Sequence, residues 1–294
     1  MHNSKHWKND GYYKINQVNE HSYRFSDKMG VYFDLFVGES KALLFDTGYG
    51  FGNIRNAVGQ ITDRPLIVVN SHGHLDHTCG NFQFANCRIY MHRSEKEIYK
   101  MHNSPDMRTK AVKYAKMLQE AKDRHKHAIP DGFDSELYIK AEAPECAEID
   151  EGFVFDLGGV QMEAYVFGGH TKGGIGLYDR TAKNLYAGDA ISPFVWLFLN
   201  ESDSLPHYIT VLKKAEDIDF SYLYMSHALL PAKKKALDYY MDAAEYLDYA
   251  GGYDFVPPGE IKHEVRLCVR SGYGKNDIRK KGFAAIAISE DKLK

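Results

Sequence analysis

Four side chains that can bind a metal ion lie within six consecutive residues of this chain. They are His72, His74, Asp76 and His77. Neutral imidazole nitrogens and an ionised carboxylate are ligands that Zn²⁺ and similar divalent cations take in proteins. A lone histidine is more often a surface or core residue, but four ligand-type side chains at this density predict a metal site. Because a metal held in this way commonly activates water, the cluster also predicts hydrolysis.

The residues around the cluster indicate how the chain positions it. An apolar run at residues 66–69 directly precedes it and predicts a buried strand. Gly73 permits a tight turn, and His72 and His74, two residues apart, face the same side of an extended chain. His77 lies three residues beyond His74 and rejoins it only in a helical turn. We therefore expect a strand that leads into the N-terminus of a helix.

Three further ligand-type residues each follow a predicted strand later in the chain. They are His170, in a glycine-rich segment, Asp189 and His227. Any one of them alone would be typical of a surface or capping residue. With the first cluster they make five histidines and two aspartates, which is enough for two metal ions. We assign His72, His74 and His170 to a first metal, Asp76, His77 and His227 to a second, and Asp189 to a bridge between them. This leaves each metal an open position for water, as catalysis needs.

Hydropathy and turn residues predict many short strands with interleaved helices. Strands are expected at residues 12–15, 23–25, 31–37, 41–45, 66–69, 88–91, 153–157, 160–167, 176–178, 184–187 and 222–225. Helices are expected at residues 51–61 and 205–216. Residues 130–151 are acidic and rich in turn residues, so we expect a connector there.

Residues 94–127 have the composition and spacing of two helices, with a break at residues 103–105. Ala111 and Ala115 belong to an apolar face of the second helix. The sequence leaves two interpretations open. This helical insertion either packs on the body of the protein as an ordinary layer or covers the active site as a lid.

The composition gives no sign of a nucleic-acid or membrane partner. The 294 residues carry 37 basic and 40 acidic side chains, a net charge of −3, with both signs mixed along the chain. The longest wholly apolar stretch, residues 194–199, is far too short to span a bilayer. The N-terminal residues lack the apolar core of a secretory signal. We therefore expect a cytoplasmic protein with a small-molecule substrate, and a homodimer is left open.

The cysteines are few and are not spaced as a disulfide framework. They are Cys79, Cys87, Cys146 and Cys268. Free thiols in a reducing compartment are the expected state. Cys79, two residues beyond His77, is either a further metal ligand or a small buried hydrophobe, which is the commoner role of a free cysteine.

These motifs resemble those of the metallo-β-lactamase-fold superfamily. Residues 72–77 match its H-x-H-x-D-H signature, and His170, Asp189 and His227 match its three later ligands. Asp46, in Asp46-Thr47-Gly48, is similar to the family's early strand-end aspartate, which supports the ligand loop without binding metal. The likeness spans residues 31–227. It implies an α/β (α+β) fold, a four-layered αββα sandwich, in a single domain over residues 1–294 with two divalent metals, most simply zinc, with iron or manganese as alternatives. The same resemblance implies a helix at residues 231–250 and closing strands near residues 264–269 and 283–288.

The resemblance also implies the chemistry. A metal-bridging hydroxide would attack the substrate, and Asp76 is the expected catalytic residue that orients it and moves its proton. A bridging Asp189 with His77 is more similar to glyoxalase II-like thioesterases and lactonases than to true β-lactamases. We therefore expect hydrolysis of an ester, thioester or lactone of a small molecule. A phosphodiesterase or ribonuclease is the alternative within the superfamily, and a di-iron redox or metal-dependent binding protein is the alternative outside hydrolysis.

Two departures leave the substrate open. The chain lacks a clear counterpart of the basic C-terminal cluster of glyoxalase II, and residues 190–193 replace the tyrosine that lactonases carry after the bridging aspartate. An aromatic run, Phe194, Trp196 and Phe198, follows Asp189 closely. It lines an apolar pocket, packs in the core or forms a subunit interface.

Overall fold

The computed structural model describes residues 11–121, 127–257, 261 and 263–294. The chain divides into two compact units. The first comprises Met1–Ile149 and Val154–Met162, and the second comprises Asp150–Phe153 and Glu163–Lys294. The single domain over residues 1–294 stays a prediction.

The first unit is built on a seven-stranded sheet. Its strands are β1 (Lys14–Gln17), β2 (Ser22–Ser26), β3 (Tyr32–Val37), β4 (Ala42–Phe45), β5 (Leu66–Val69), β6 (Arg88–Met91) and β7 (Ala147–Glu148). They lie in the order of the sequence, antiparallel from β1 to β4 and parallel from β4 to β7. In the parallel part Phe45 pairs with Val69, so the residues that follow β4 and β5 emerge at the same edge of the sheet. The predicted ligand cluster begins at this edge.

Helices pack on this sheet and complete the core of the first unit. They are α1 (Ile54–Gly59), α2 (Leu75–Thr78), α3 (Lys96–His102), α4 (Pro105–Glu120) and α5 (Ser135–Lys140). Buried side chains of α1, α4 and α5 share one apolar core with the strands. Ser104 is the N-cap of α4, because its hydroxyl accepts a hydrogen bond from the Met107 N–H.

The predicted break in residues 94–127 is therefore confirmed. Ala111, Val112 and Ala115 of α4 lie in the core, as expected for an ordinary layer helix. Residues 122–126 of the expected insertion lie outside the described residues. The lid role stays a prediction.

A six-stranded sheet has the order β14-β13-β11-β10-β9-β8. Its strands are β8 (Val154–Asp156), β9 (Gln161–Val166), β10 (Ile175–Asp179), β11 (Asn184–Tyr186), β13 (Tyr222–Tyr224) and β14 (Ala232–Lys233). Strand β8 and the first two residues of β9 belong to the first unit. Strands β11 and β13 are parallel and Tyr186 pairs with Tyr224, so Asp189 and His227 follow neighbouring strands at the same edge.

The second unit also holds a four-stranded sheet in the order β12-β17-β16-β15. The strands are β12 (Phe194–Leu197), β15 (Tyr253–Asp254), β16 (Arg266–Val269) and β17 (Ala285–Ile288). Helices α6 (Leu205–Asp217) and α7 (Ala236–Glu245) pack with strands of both sheets in one core. The mixed α/β class is confirmed. No helix of the described residues is long and apolar enough to cross a membrane.

The predicted bounds of several elements were wrong. The supposed connector at residues 130–151 contains α5, which begins after Asp134 because that carboxylate accepts the N–H groups of Glu136 and Leu137. The helix expected at residues 231–250 is shorter, since Ala232–Lys233 pairs with β13 as a strand. The strand expected at residues 12–15 begins later, at Lys14.

Candidate metal centre

His72 and His74 lie together in the turn that follows β5. Both side chains are buried, and Nε2 of His72 is 3.0 Å from Nδ1 of His74. Two nitrogen ligands of one tetrahedral zinc lie roughly 3.3 Å apart when each metal–nitrogen bond is about 2.0–2.1 Å. The two nitrogens are therefore positioned as ligands of one metal ion.

Helix α2 carries Asp76 and His77, the other two residues of the cluster, and places them close to His72. It begins directly after His74, which confirms the predicted helical turn. The imidazole rings of His72 and His77 have centroids 4.0 Å apart, and Nε2 of His77 is 3.6 Å from Oδ2 of Asp76. The first unit thus presents two pairs of donors, His72 with His74 and Asp76 with His77.

Asp46 and Ser71 fix the orientation of two of these imidazoles. Oδ1 of Asp46 accepts the Ser71 N–H at 2.7 Å, and Oδ2 accepts the Ser71 hydroxyl at 2.7 Å and Nδ1 of His77 at 2.9 Å. Because the Ser71 hydroxyl donates to Asp46, its oxygen can accept Nδ1–H of His72, 2.9 Å away. Both histidines then carry their proton on Nδ1 and leave Nε2 as the ligand atom. Asp46 therefore supports the ligand loop, as the resemblance implies.

Two supporting residues of the first unit were not predicted from the sequence. Glu95 is fully buried, and its carboxylate accepts the N–H of Gly73 at 2.9 Å in the turn between the two ligands. The ring of His102, at the end of α3, lies 4.7 Å from that of His74, and its Nδ1 accepts the Leu75 N–H at 3.3 Å. The sequence carried no signal for either role, since both depend on where α3 packs.

Cys79 has the surroundings of a core residue. It is fully buried among apolar side chains, and its Sγ donates to the backbone oxygen of His102 at 3.6 Å. Burial raises the pKa of its thiol above the ordinary value, which disfavours the thiolate that a metal would need. The role of a small buried hydrophobe fits this environment.

The second unit gathers its three predicted ligands around one carboxylate oxygen. Oδ2 of Asp189 lies 3.1 Å from Nε2 of His227 and 3.9 Å from Nε2 of His170. Nδ1 of His170 is 3.0 Å from the backbone oxygen of Trp196, which fixes the proton on Nδ1 and leaves Nε2 as the ligand atom. A carboxylate between two such nitrogens has the arrangement expected of a bridging ligand.

The donor atoms in both units suit a divalent metal of the zinc type. They are imidazole nitrogens and carboxylate oxygens, and the first unit adds hydrogen bonds that hold His72 and His77 in the ligating tautomer. The structure brings the four predicted ligands of the first unit together, and likewise the three of the second.

Comparison with known proteins identifies the family. Residues 33–227 match the sequence family described as the Metallo-beta-lactamase superfamily. The human and bovine proteins named Acyl-coenzyme A thioesterase MBLAC2 are each 24% identical to this chain, over 59% of this chain and 62% of theirs. The chain therefore matches less than two thirds of the length of these relatives.

Solved structures share the fold at low sequence identity. A metallo-beta-lactamase from Pontibacter korlensis has a TM-score of 0.54 at 16% identity, covering 79% of this chain and 99% of that protein. The sec-alkylsulfatase Pisa1 from Pseudomonas sp. has a TM-score of 0.59 at 15% identity, covering 80% of this chain and 42% of that protein. At these identities the likeness shows the fold alone.

The matched region contains all seven predicted ligand residues, and it covers well over half of the chain. The family match and the relatives together indicate a hydrolase, as the sequence predicted. The chain belongs to the metallo-beta-lactamase superfamily.

Proposed function

We propose that this hydrolase uses two divalent metal ions to hydrolyse thioesters of small molecules. The observation that carries the proposal is the pairing of donors within each unit. The first unit offers one pair of ligands for each metal, His72 with His74 and Asp76 with His77. The second unit offers Asp189 between His170 and His227.

We assign the seven residues to the two metals in the same way as in the sequence analysis. The first metal would be held by His72, His74 and His170, the second by Asp76, His77 and His227, and both by Asp189. Zinc suits these donors best, with iron or manganese as alternatives. When bound, the metals supply Lewis acidity, which lowers the pKa of a ligated water and polarises the carbonyl group under attack.

The protein's own contribution is orientation and proton handling. Asp46 and Ser71 keep the proton of His77 and of His72 on Nδ1, so that neither ring has to reorient during turnover. The Asp76 side chain keeps a fifth of its surface exposed, which gives it access to solvent. Asp76 orients the attacking water with a carboxylate oxygen and accepts its proton, the role of a general base.

The choice of a thioester rests on the relatives. The MBLAC2 proteins, which match at 24% identity, are named as acyl-coenzyme A thioesterases. A bridging aspartate at Asp189 is also the pattern of the thioesterases and lactonases that the motifs resemble. A phosphodiester substrate is disfavoured because basic and acidic residues are nearly balanced, 37 against 40, and both signs are mixed along the chain.

A hydrolysis panel tests the proposal. Purified protein loaded with zinc would be offered acyl thioesters, the matching oxygen esters, lactones and a phosphodiester, in parallel with His74→Ala. We expect thioester hydrolysis at the highest kcat/KM, and a loss of roughly 10³-fold or more in the variant, because one metal loses a ligand. Preferential cleavage of the phosphodiester would favour the nuclease alternative. Oxygen consumption by a di-iron protein that hydrolyses none of the panel would overturn the proposal.

A further inference from the structure

The two faces of strand β12 have different surroundings. Val195 and Leu197 are buried and point into the core that α6 and α7 complete. Successive side chains of a strand point to opposite faces, so Phe194 and Trp196 lie on the other face of the sheet. Both are only partly buried. The core that α6 and α7 complete therefore holds one face of β12, and the aromatic face packs in a separate cluster.

The aromatic face of β12 forms a cluster with Phe255, the residue that follows β15. We call Phe194, Trp196, Phe198 and Phe255 the aromatic cluster. The ring of Phe255 lies 5.7 Å from Phe194, 6.2 Å from Trp196 and 6.0 Å from Phe198. Phe198 is buried, whereas the other three rings keep part of their surface exposed. Further apolar side chains pack with the cluster: Leu199, Ile261, Val265 and Ala287.

The aromatic cluster is joined directly to a predicted metal ligand. The backbone oxygen of Trp196 accepts Nδ1–H of His170 at 3.0 Å. The backbone oxygen of His170 in turn accepts the Ser202 hydroxyl at 2.7 Å. One residue, Trp196, thus orients His170 through its main chain and presents an aromatic ring through its side chain. The main chain of the aromatic cluster therefore contacts the imidazole of a predicted metal ligand.

We propose that the aromatic cluster binds the acyl chain of the substrate, and that the preferred substrates carry apolar acyl groups longer than acetyl. This inference rests on the proposed thioesterase function and adds its substrate class. The acyl side of the thioester is the occupant that fits, because the four side chains of the cluster are aromatic, whereas common thiol leaving groups are polar or charged. Each methylene group that an apolar site buries is worth roughly fourfold in binding.

The first test is selectivity for acyl length. We compare kcat/KM for octanoyl and acetyl thioesters of the same thiol in wild type, Phe255→Ala and the control Phe153→Ala. Phe153 is a partly exposed phenylalanine outside the cluster. We expect an octanoyl preference of ~50-fold or more in wild type and in the control, and a preference reduced ~10-fold or more by Phe255→Ala. Equal ratios in all three proteins would overturn the inference and leave the thioesterase proposal standing.

The second test needs no catalysis. The chain has two tryptophans, Trp7 and Trp196. In a Trp7→Phe background we titrate octanoate and acetate and follow the emission of Trp196. We expect octanoate to shift the emission to shorter wavelength and acetate to leave it unchanged, with the octanoate response weakened ~10-fold or more by Phe255→Ala.

The two tests separate the two proposals. An octanoate response without hydrolysis of any thioester would reject the thioesterase function and retain the apolar site. Loss of the response would reject the site. Size-exclusion chromatography of the same samples tests whether the cluster is a subunit interface. A dimer that dissociates in Phe255→Ala, together with no octanoate response, would assign the cluster to that role and reject the acyl site.

Discussion

Oδ2 of Asp46 accepts a hydrogen bond from Nδ1 of His77 at 2.9 Å, across 31 residues of sequence. The same carboxylate accepts both the N–H and the hydroxyl of Ser71. Asp46 follows β4 and Ser71 follows β5, and these neighbouring parallel strands end together. The orientation of the candidate ligands is therefore set by the strand register.

Replacement of Asp46 by asparagine tests this support. Asp46 has a φ of 68°, and asparagine tolerates that conformation, so Asp46→Asn changes the carboxylate without straining the backbone. The amide NH₂ cannot accept the hydrogen bonds of Ser71 and His77. We expect metal affinity to fall ~10- to 100-fold in competition with a chromogenic chelator. The control is Asp179→Asn, a buried aspartate that accepts N–H groups of Thr181 and Ala182. Equal affinities in both variants would contradict this role of Asp46.

Gly73 is required by a close approach of two segments. A Cβ atom at this position would lie 2.7 Å from the Tyr99 nitrogen and 2.9 Å from the Glu95 oxygen, both in the backbone. We expect Gly73→Ala to lower the free energy of unfolding by ~1–3 kcal/mol and also to weaken metal binding. Gly59→Ala is the matched control, because nothing lies within 4 Å of its Cβ position and alanine favours a helix. Urea unfolding of both variants measures the difference. Equal effects would show that the backbone of Tyr99 and Glu95 leaves room for a Cβ atom at position 73.

Arg108 ties helix α4 to the segment that carries the ligands. Its side chain is fully buried and donates to Asn103 Oδ1 at 2.9 Å and to the backbone oxygen of Cys79 at 3.1 Å. We expect Arg108→Met to lower the free energy of unfolding by ~3–5 kcal/mol, because it leaves these buried acceptors without their donor. The exposed Lys110 of the same helix provides the control, for which Lys110→Met should change stability by less than ~0.5 kcal/mol. If urea unfolding shows a loss below ~1 kcal/mol for Arg108→Met, the hydrogen bonds of Arg108 do not stabilise the fold as we expect.

Asp27 gives the stability of the first unit a dependence on pH. Burial raises its pKa to about 6, although the N–H groups of Met29 and Val31 donate to Oδ1. The unfolded chain releases this proton near pH 4, so the folded state binds more protons between pH ~4 and ~6. The stabilising contribution is complete below pH ~4 and is lost as the pH rises through about 6.

The variant Asp27→Asn keeps Oδ1 as an acceptor and removes the ionisation. We expect it to match wild type at pH 4 and to exceed it at pH 8 by up to ~3 kcal/mol in the free energy of unfolding, which corresponds to a shift of about two pKa units. Urea unfolding at both pH values provides the measurement. A difference between the two proteins that is the same at pH 4 and pH 8 would show that Asp27 does not titrate as its burial requires.

Much of the candidate site was predictable because each part of it is encoded locally. The apolar run of β5 and the spacing of His72, His74 and His77 define a strand, a turn and a helix without reference to the rest of the chain. The sequence predicted a strand directly before Asp189 and another before His227. The parallel pairing of those two strands brings the residues together.

The remaining features depend on distant partners. The carboxylate of Glu95 contacts Gly73, and the ring of His102 contacts that of His74, only because α3 packs against the ligand turn. Strand β12 reads as an apolar run in the sequence, and its strand character comes from pairing with β17, about ninety residues later. Short elements such as α5 have too few residues to show a periodic pattern, and the cap at Asp134 was the one local signal.

We propose that two metal ions bound by this chain are needed for thioester hydrolysis. The most direct measurement is a titration of metal-depleted protein with Zn²⁺, in which the rate of octanoyl thioester hydrolysis is followed against equivalents added per chain. We expect no hydrolysis before addition and a rate that reaches its maximum at two equivalents. Hydrolysis that survives complete metal removal, or that is already maximal at one equivalent, would contradict the claim.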